Sequence, residues 1–190
     1  MEKTRAEVPT LRSKNYILRP ILEEDIPQLY QLRSDPDLMK YIHRPILKEP
    51  NEAIALYRVI EQRRMSIGNI NWALCTETDP TMKGFIGFAG INKENNRAEL
   101  GYMIMKELQG KKLMYEVLPL LIEYGFETMN MNALTAIIDP ANIASEKVLI
   151  HCGLRKEAHF REEIFFEGKY YDALHYCILK SDYKSRNTQI

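Results

Sequence analysis

"RAELGYMIMKELQGKKLMYEVLPLLIEYGFETMNMNALTAII", Arg97 to Ile138, holds the connection that decides the fold. Residues Arg97 to Met105 alternate as a strand, and "ALTAII" (Ala133 to Ile138) is a short apolar strand. The apolar periodicity after Gly110 predicts a long helix through about Met129. Strand, helix, strand in this order makes a crossover, which should set the two strands parallel and close together. Pro119 lies inside the helix, removes one N–H and should bend it locally.

Working outward, "YILRPI" (Tyr16 to Ile21) reads as a first strand. A helix follows, with Ile26, Leu29, Tyr30 and Leu32 on one face and Pro36 at its end. Asn51 is a candidate cap for a second helix lined by Ile54, Tyr57 and Ile60. "INWALCTE" (Ile70 to Glu77) and "GFIGFAGIN" (Gly84 to Asn92) then form a meander with Arg97 to Met105, turning at Asp79-Pro80 and "KENN" (Lys93 to Asn96). Beyond Ile138 come a helix in "DPANIASEKVLIHCGL" (Asp139 to Leu154) and two strands, "RKEAHFREEIFF" and "KYYDALHYCILK", joined through Glu167-Gly168. The order β-α-α-β-β-β-α-β-α-β-β specifies a single α+β domain over residues 11–183. Its seven-stranded sheet is mostly antiparallel, and residues 1–10 and 184–190 read as polar tails.

Composition bounds the function classes. The 190 residues are 45% apolar and 27% charged, as expected of one folded domain. Lys plus Arg and Asp plus Glu are 26 each, so no global field argues for nucleic acid or a membrane surface. "MEKTRAEVPT" has charges where a signal peptide needs an apolar core, and the expected location is the cytoplasm. Cys75, Cys152 and Cys177 form no CxxC pair, and the four histidines do not fall at metal-ligand spacing, so no metal site is expected.

Two helices begin near the same sheet edge. The first follows "LQGKKLM" (Leu108 to Met114), where Gly110, backbone N–H groups and a helix dipole, with Lys111 and Lys112, form a natural phosphate seat. The loop is neither a GxxxxGK[ST] nor a GxGxxG sequence, and by itself it is equally a βα turn with two solvated lysines. The second helix has Asn142 and Ser145 in its first turn, Pro140 at a first helical position and Gly153 at its exit, all of which are ordinary helix punctuation.

Together these segments resemble the GCN5-related N-acetyltransferase (GNAT) superfamily. Within it they resemble the RimJ/RimL-type branch of ribosomal-protein N-terminal acetyltransferases. The carriers are "YILRPILEEDIPQLYQL", "GFIGFAGIN", "RAELGYMI", "QGKKLMYEVLPLLIEYGFE", "DPANIASEKVLIHCGL" and "GKYYDALHYCILK". The resemblance implies acetyl-CoA as cosubstrate, with its pantetheine arm in a wedge where two parallel strands splay apart. Backbone groups of Met103, Ile104 and Met105 are then expected at the pantetheine. Amides of Gln109, Gly110, Lys111, Lys112, Leu113 and Met114 are expected at the pyrophosphate, with the Asn142 side chain on the arm and Ser145 close to the sulfur. The family loop has Gln or Arg, then Gly, then Gly or Ala where this chain has Glu107, Gly110 and Lys112. Only Gly110 matches; Glu107 is expected to weaken the local positive field.

Direct transfer needs an unprotonated amine, donors for the developing oxyanion and a proton for the departing thiolate. Glu99 is the candidate base, on the strand face opposite Leu100 and Tyr102; its alternative is a solvated strand residue paired with a Lys or Arg. The tyrosine that serves as acid in many superfamily members is replaced by Leu149, which leaves Ser145 as candidate donor or as a small polar filler of the helix turn. His175 and Tyr171 are weaker candidates for the acceptor pocket, and "HRP" at His43 to Pro45 falls where the family often borders the acceptor. The acceptor is expected to be a primary amine, and the resemblance to the RimJ/RimL-type branch implies a protein or peptide N-terminus ahead of a small molecule; an α-amine near pKa about 8 also needs less help than a lysine near about 10.4. A homodimer is compatible with the sequence. The competing readings are a noncatalytic acyl-CoA-binding sensor and an interaction scaffold that has lost the cofactor.

Overall fold

A computed structural model describes residues 8–187. Eight strands form one sheet in the order β1-β2-β3-β4-β5-β6-β8-β7. They are β1 (Leu11–Arg12), β2 (Tyr16–Pro20), β3 (Ile70–Thr76), β4 (Asp79–Asn92), β5 (Arg97–Ile104), β6 (Ala133–Ile138), β7 (Arg155–Phe166) and β8 (Lys169–Leu179). Every pairing is antiparallel except that of β5 with β6. The expected crossover is therefore present. The expected count of seven is corrected to eight by β1, which is too short to carry a period of its own.

Helices α1 (Ile26–Ser34), α2 (Pro36–Met39) and α3 (Pro50–Ser66) cover one face of the sheet. There Leu29, Leu32 and Met39 pack with Ala73, Cys75, Met82 and Met103. Helices α4 (Leu113–Glu123) and α5 (Ile143–His151) cover the other face, where Leu113, Val117, Leu121 and Leu149 join Trp72, Phe88, Leu100 and Tyr176 in the larger core. Helix α6 (Lys180–Asn187) follows β8 directly.

Several boundaries differ from the sequence expectation for local reasons. The Asp79-Pro80 turn is corrected: both residues begin β4, and Glu77 and Thr78 make the turn. Asn51 is not the cap of α3. Glu49 is, with Pro50 in the first turn and the Glu52 carboxylate accepting the Glu49 N–H at 2.9 Å. The long helix through Met129 ends as α4 at Glu123, four residues beyond Pro119, and continues as a π-helical turn over Tyr124–Thr128. In that turn Gly125 is buried against Leu134 and Phe88. The residues past Tyr183 continue as helix to Asn187, and the Trp72 indole N–H donates to the Pro9 carbonyl at 2.7 Å, so the described part of each expected tail is structured.

Glycine fixes one close approach in the middle of the sheet. A Cβ at Gly87 would lie 2.2 Å from the Ile70 carbonyl oxygen and 2.8 Å from the Asn71 Cα, both backbone atoms of β3. Gly87→Ala should therefore destabilise the domain by about 2 kcal/mol or more, because a strand has to move rather than a side chain. Chemical denaturation against the parent protein checks this.

Candidate active site

The parallel ladder of β5 with β6 consists of Arg97↔Ala133, Ala98↔Leu134 and Glu99↔Thr135 and goes no further. Beyond Glu99, β5 stays paired with β4 while β6 follows β8, and a wedge opens between them. The Met105 N–H donates to the Lys83 carbonyl at 2.8 Å, so strand alternation turns the main chain of Met103 towards β4 as well. Met105 is committed on both sides, since its carbonyl accepts the Leu108 N–H at 3.0 Å. Of the three expected strand contacts only Ile104 faces the wedge, together with Tyr102; Met103 and Met105 are corrected on this ground. The period-two geometry of a paired strand was the signal that would have separated them.

The loop after β5 is pinned by ion pairs. Lys106 lies 3.0 Å from Asp35 and 2.7 Å from Asp37, and Glu107 lies 3.1 Å from Lys83. The expected weakening of the local field by Glu107 is thereby corrected, because its charge is matched by Lys83. The Gln109 N–H is spent on the Lys106 carbonyl at 3.1 Å, and its side-chain amide donates to the Ile104 carbonyl at 3.3 Å. Gln109 thus drops out of the expected row of free amides. Those of Gly110, Lys111 and Lys112 have no backbone acceptor among the described residues, and Leu113 and Met114 open α4, where N–H groups are intrinsically unpaired. Gly110 (φ 72°) and Lys112 (φ 59°) both adopt the left-handed conformation, which turns successive amides to one side.

At the wedge's other wall, Asn142 caps α5 by accepting the Ser145 N–H on its side-chain oxygen at 3.1 Å. Its side-chain NH2 remains as a donor. Pro140 is not in the helix but in the turn before it, where Asp139 accepts the Ala141 N–H. Gly153 (φ 96°) ends α5: its N–H donates to Ile150 and that of Leu154 to Leu149, a Schellman arrangement. Leu149 is fully buried in the core, so no tyrosine acid occurs at that place.

The sequence reading missed Tyr102 as a site residue. Its hydroxyl is buried and makes no well-formed hydrogen bond among the described residues, with the Ser145 side chain as its polar neighbour. Burial pushes its pKa up to about 12, and the neighbouring Ser145 side chain pulls the other way. An orphaned buried donor next to the α5 first turn is uncommon in folded proteins and calls for a partner that binds.

Glu99 occupies the opposite face, at the last rung before the wedge. It forms no hydrogen bond or ion pair among the described residues, and the Arg44 and His175 charges act on it from a distance. Burial raises its pKa above the ordinary carboxylate value, with Arg44 and His175 acting in the opposite direction. Two residues along the same face, Gly101 is exposed, and a Cβ there would meet nothing within 4 Å, so open space adjoins the carboxylate. His43 Nε2 lies 2.8 Å from Asp139 Oδ2, and its ring stacks on Tyr171 at 3.8 Å. His175 Nε2 lies 2.7 Å from Glu163 Oε2. Of the weaker candidates, Arg44 of the "HRP" segment and His175 act electrostatically on Glu99, while Tyr171 meets His43.

Residues 15–155 match the family described as Acetyltransferase (GNAT) domain. The chain belongs to the GNAT acetyltransferase family. This GNAT protein is 29% identical to the uncharacterized N-acetyltransferase p20 of Bacillus licheniformis over 92% of its own length and 98% of the relative's. It is 28% identical to the spermidine N(1)-acetyltransferase of Escherichia coli (strain K12), over 87% of each chain. RimL, a ribosomal L7/L12 alpha-N-protein acetyltransferase solved with coenzyme A, shares its fold with a TM-score of 0.81 at 19% identity, over 90% of this chain and 98% of that one.

As a GNAT enzyme the protein is an acetyl-CoA-dependent N-acetyltransferase. The wedge fits that cosubstrate: an unpaired strand edge for the pantetheine amides, free amides at a left-handed loop for the pyrophosphate, and an orphaned Tyr102 hydroxyl between them. No cluster of metal-ligating side chains occurs among the described residues, and no helix there is long and apolar enough to cross a membrane.

Gly110→Val should weaken acetyl-CoA binding by about tenfold, because forcing a β-branched residue into a left-handed backbone costs about 1–2 kcal/mol or shifts the loop. Calorimetric titration of acetyl-CoA reads this, with thermal unfolding as the control for the fold.

Proposed function

We propose that this N-acetyltransferase acetylates a primary amine at Glu99, with the α-amine of a peptide or protein N-terminus as the favoured acceptor. The observation that carries the reading is the unpaired, desolvated Glu99 carboxylate beside the open face of Gly101, at the rung where the parallel ladder ends. A carboxylate held there accepts the amine proton directly or through one water.

Acetyl-CoA supplies the activated acetyl thioester. The main chain of Ile104 and Tyr102 positions the pantetheine arm, the Asn142 side chain supplies a donor to it, and the amides from Gly110 to Met114 hold the pyrophosphate with Lys111 and Lys112 nearby. Ser145 Oγ donates a hydrogen bond, and in turn a proton, to the departing thiolate. The Tyr102 hydroxyl behind Ser145 replenishes it, in place of the tyrosine that Leu149 displaces. Glu99 and the Tyr102–Ser145 pair lie on opposite faces of β5, so base and acid approach the wedge from its two sides.

The similarity to a spermidine enzyme and the fold shared with a ribosomal-protein enzyme give two acceptor classes. The α-amine is the easier nucleophile at neutral pH, since its pKa of about 8 leaves more of it unprotonated than an alkyl amine near about 10.4.

With a mixed panel of peptides and small amines, thiol release should depend on the acceptor, and kcat/KM should rise with pH as Glu99 loses its proton, at a pH above that of an ordinary carboxylate. Glu99→Gln should lower kcat by about a hundredfold and abolish this limb of the profile. Its effect on stability has the opposite sign. The folded state holds the Glu99 proton more tightly than the unfolded one, so ionising Glu99 costs stability as pH rises through the ordinary carboxylate range and past it, and Gln removes that cost. An unchanged kcat in Glu99→Gln would remove Glu99 as the base.

Tyr102→Phe separates function from packing. Because its buried hydroxyl makes no well-formed hydrogen bond in the free protein, the variant should unfold at the same temperature or slightly higher, while kcat falls by about tenfold and the alkaline limb of the profile shifts. Thermal unfolding and a pH–rate profile on the same preparation check both.

A further inference from the structure

Two guanidinium groups without an ion-pair partner among the described residues lie at the end of α1 and in the segment that His43 ties to Asp139 at the wedge. Arg33, in the last turn of α1, contacts the Pro45 carbonyl at 3.4 Å through one terminal nitrogen, while its Nε is buried with no hydrogen-bond partner. Arg44 precedes Pro45 and acts electrostatically on both Arg33 and Glu99. The segment is held in place from three directions: the Leu47 N–H donates to the Arg33 carbonyl at 3.0 Å, His43 meets Asp139 at 2.8 Å, and His43 stacks on Tyr171. The nearby carboxylates are already committed, Asp139 to His43 and Glu163 to His175. Neither Arg33 nor Arg44 forms an ion pair among the described residues.

A half-buried guanidinium whose Nε has no partner, with the charge of an exposed second arginine acting on it, is an expensive arrangement. Burial and the neighbouring Arg44 charge both lower the Arg33 pKa, as expected when the charged form is poorly compensated. The planar fork of arginine suits a carboxylate, and the uncompensated charge of Arg33 and Arg44 would be relieved by one.

We propose that Arg33 and Arg44 form an anion subsite of the acceptor pocket, selecting acceptors with a carboxylate close to the amine presented to Glu99. The chemistry named is that of a peptide with an acidic residue just after its N-terminus, or of an amino acid's own α-carboxylate. The same charges disfavour polycations, which separates this enzyme from its spermidine-acetylating relative. The inference rests on the assignment of Glu99 as the base, and the two can fail separately.

The test is kcat/KM for three peptides that differ only at residues two and three (Asp-Asp, Ser-Ser, Lys-Lys), with free aspartate and spermidine as further arms. Products are identified by mass spectrometry, and each variant's acetyl-CoA affinity controls for its fold. The expected order is acidic, neutral, basic, spanning at least about tenfold and shrinking with added salt. Arg44→Glu should invert the order, and Arg44→Gln and Arg33→Gln should flatten it. A preference for aspartate over every peptide also supports the subsite and assigns its ligand as the α-carboxylate. Equal rates for the three peptides, or a preference for Lys-Lys or spermidine in the parent enzyme, would overturn the subsite while leaving the transferase intact. Bound acetyl-CoA with no acetylated product from any acceptor would overturn Glu99 and the subsite together.

Discussion

The early end of the parallel ladder between β5 and β6 is the constraint on which the site depends. Three residue pairs are formed, and the strands then part because each is held by a different antiparallel neighbour, β4 on one side and β8 on the other. In a continuous sheet the main-chain groups of Tyr102 and Ile104 would be satisfied by a neighbouring strand. Here they face an opening at which α4 and α5 both begin, so unpaired amides and positive helix ends collect at one place. The long antiparallel pairing of β7 with β8 braces the far side, and the close β3–β4 contact at Gly87 braces the near side.

The sheet also separates two chemistries. On the side of α4 and α5 the surroundings are apolar, and Tyr102 and Ser145 are the polar groups set into them. On the side of α1 to α3 the wedge is bordered by charge: Glu99, Arg44, the His43–Asp139 contact and the His175–Glu163 contact. A strand residue and its successor point to opposite faces, so one short segment of β5 provides both sides of the reaction. The pKa of Glu99 reflects this position, raised by burial yet held back by the neighbouring positive charges.

Much of this was legible in the sequence where the signal is local. The crossover, the hairpins, the Asn142 cap, the Gly153 stop and the placement of Glu99 opposite Leu100 all follow from period, turn chemistry or capping, and all are present. The two-residue β1, the π turn at Tyr124–Thr128 and the start of β4 at Asp79 have no such signature, because tertiary packing decides them. At the site, the loop was recognisable through Gly110, while the commitment of Met105 to β4 and of the Gln109 amide to Lys106 depends on pairing register and turn bonds. The meeting of His43 with Asp139, or of His175 with Glu163, joins residues apart in the chain, and no periodicity encodes it. Tyr102 was read only as sharing a strand face with Leu100, since a buried hydroxyl without a well-formed hydrogen bond is visible only once its surroundings are known.

The central claim is that the gap between β5 and β6 is the cosubstrate's place, with Glu99 at its end. A crystal structure of the protein with coenzyme A tests it directly. The account predicts the pantetheine arm between the two strands, hydrogen-bonded to the main chain of Ile104, with the pyrophosphate on the amides of Gly110 to Met114 and the sulfur near Ser145 and Tyr102. Coenzyme A bound elsewhere, or β5 and β6 closed against each other in the complex, would contradict it.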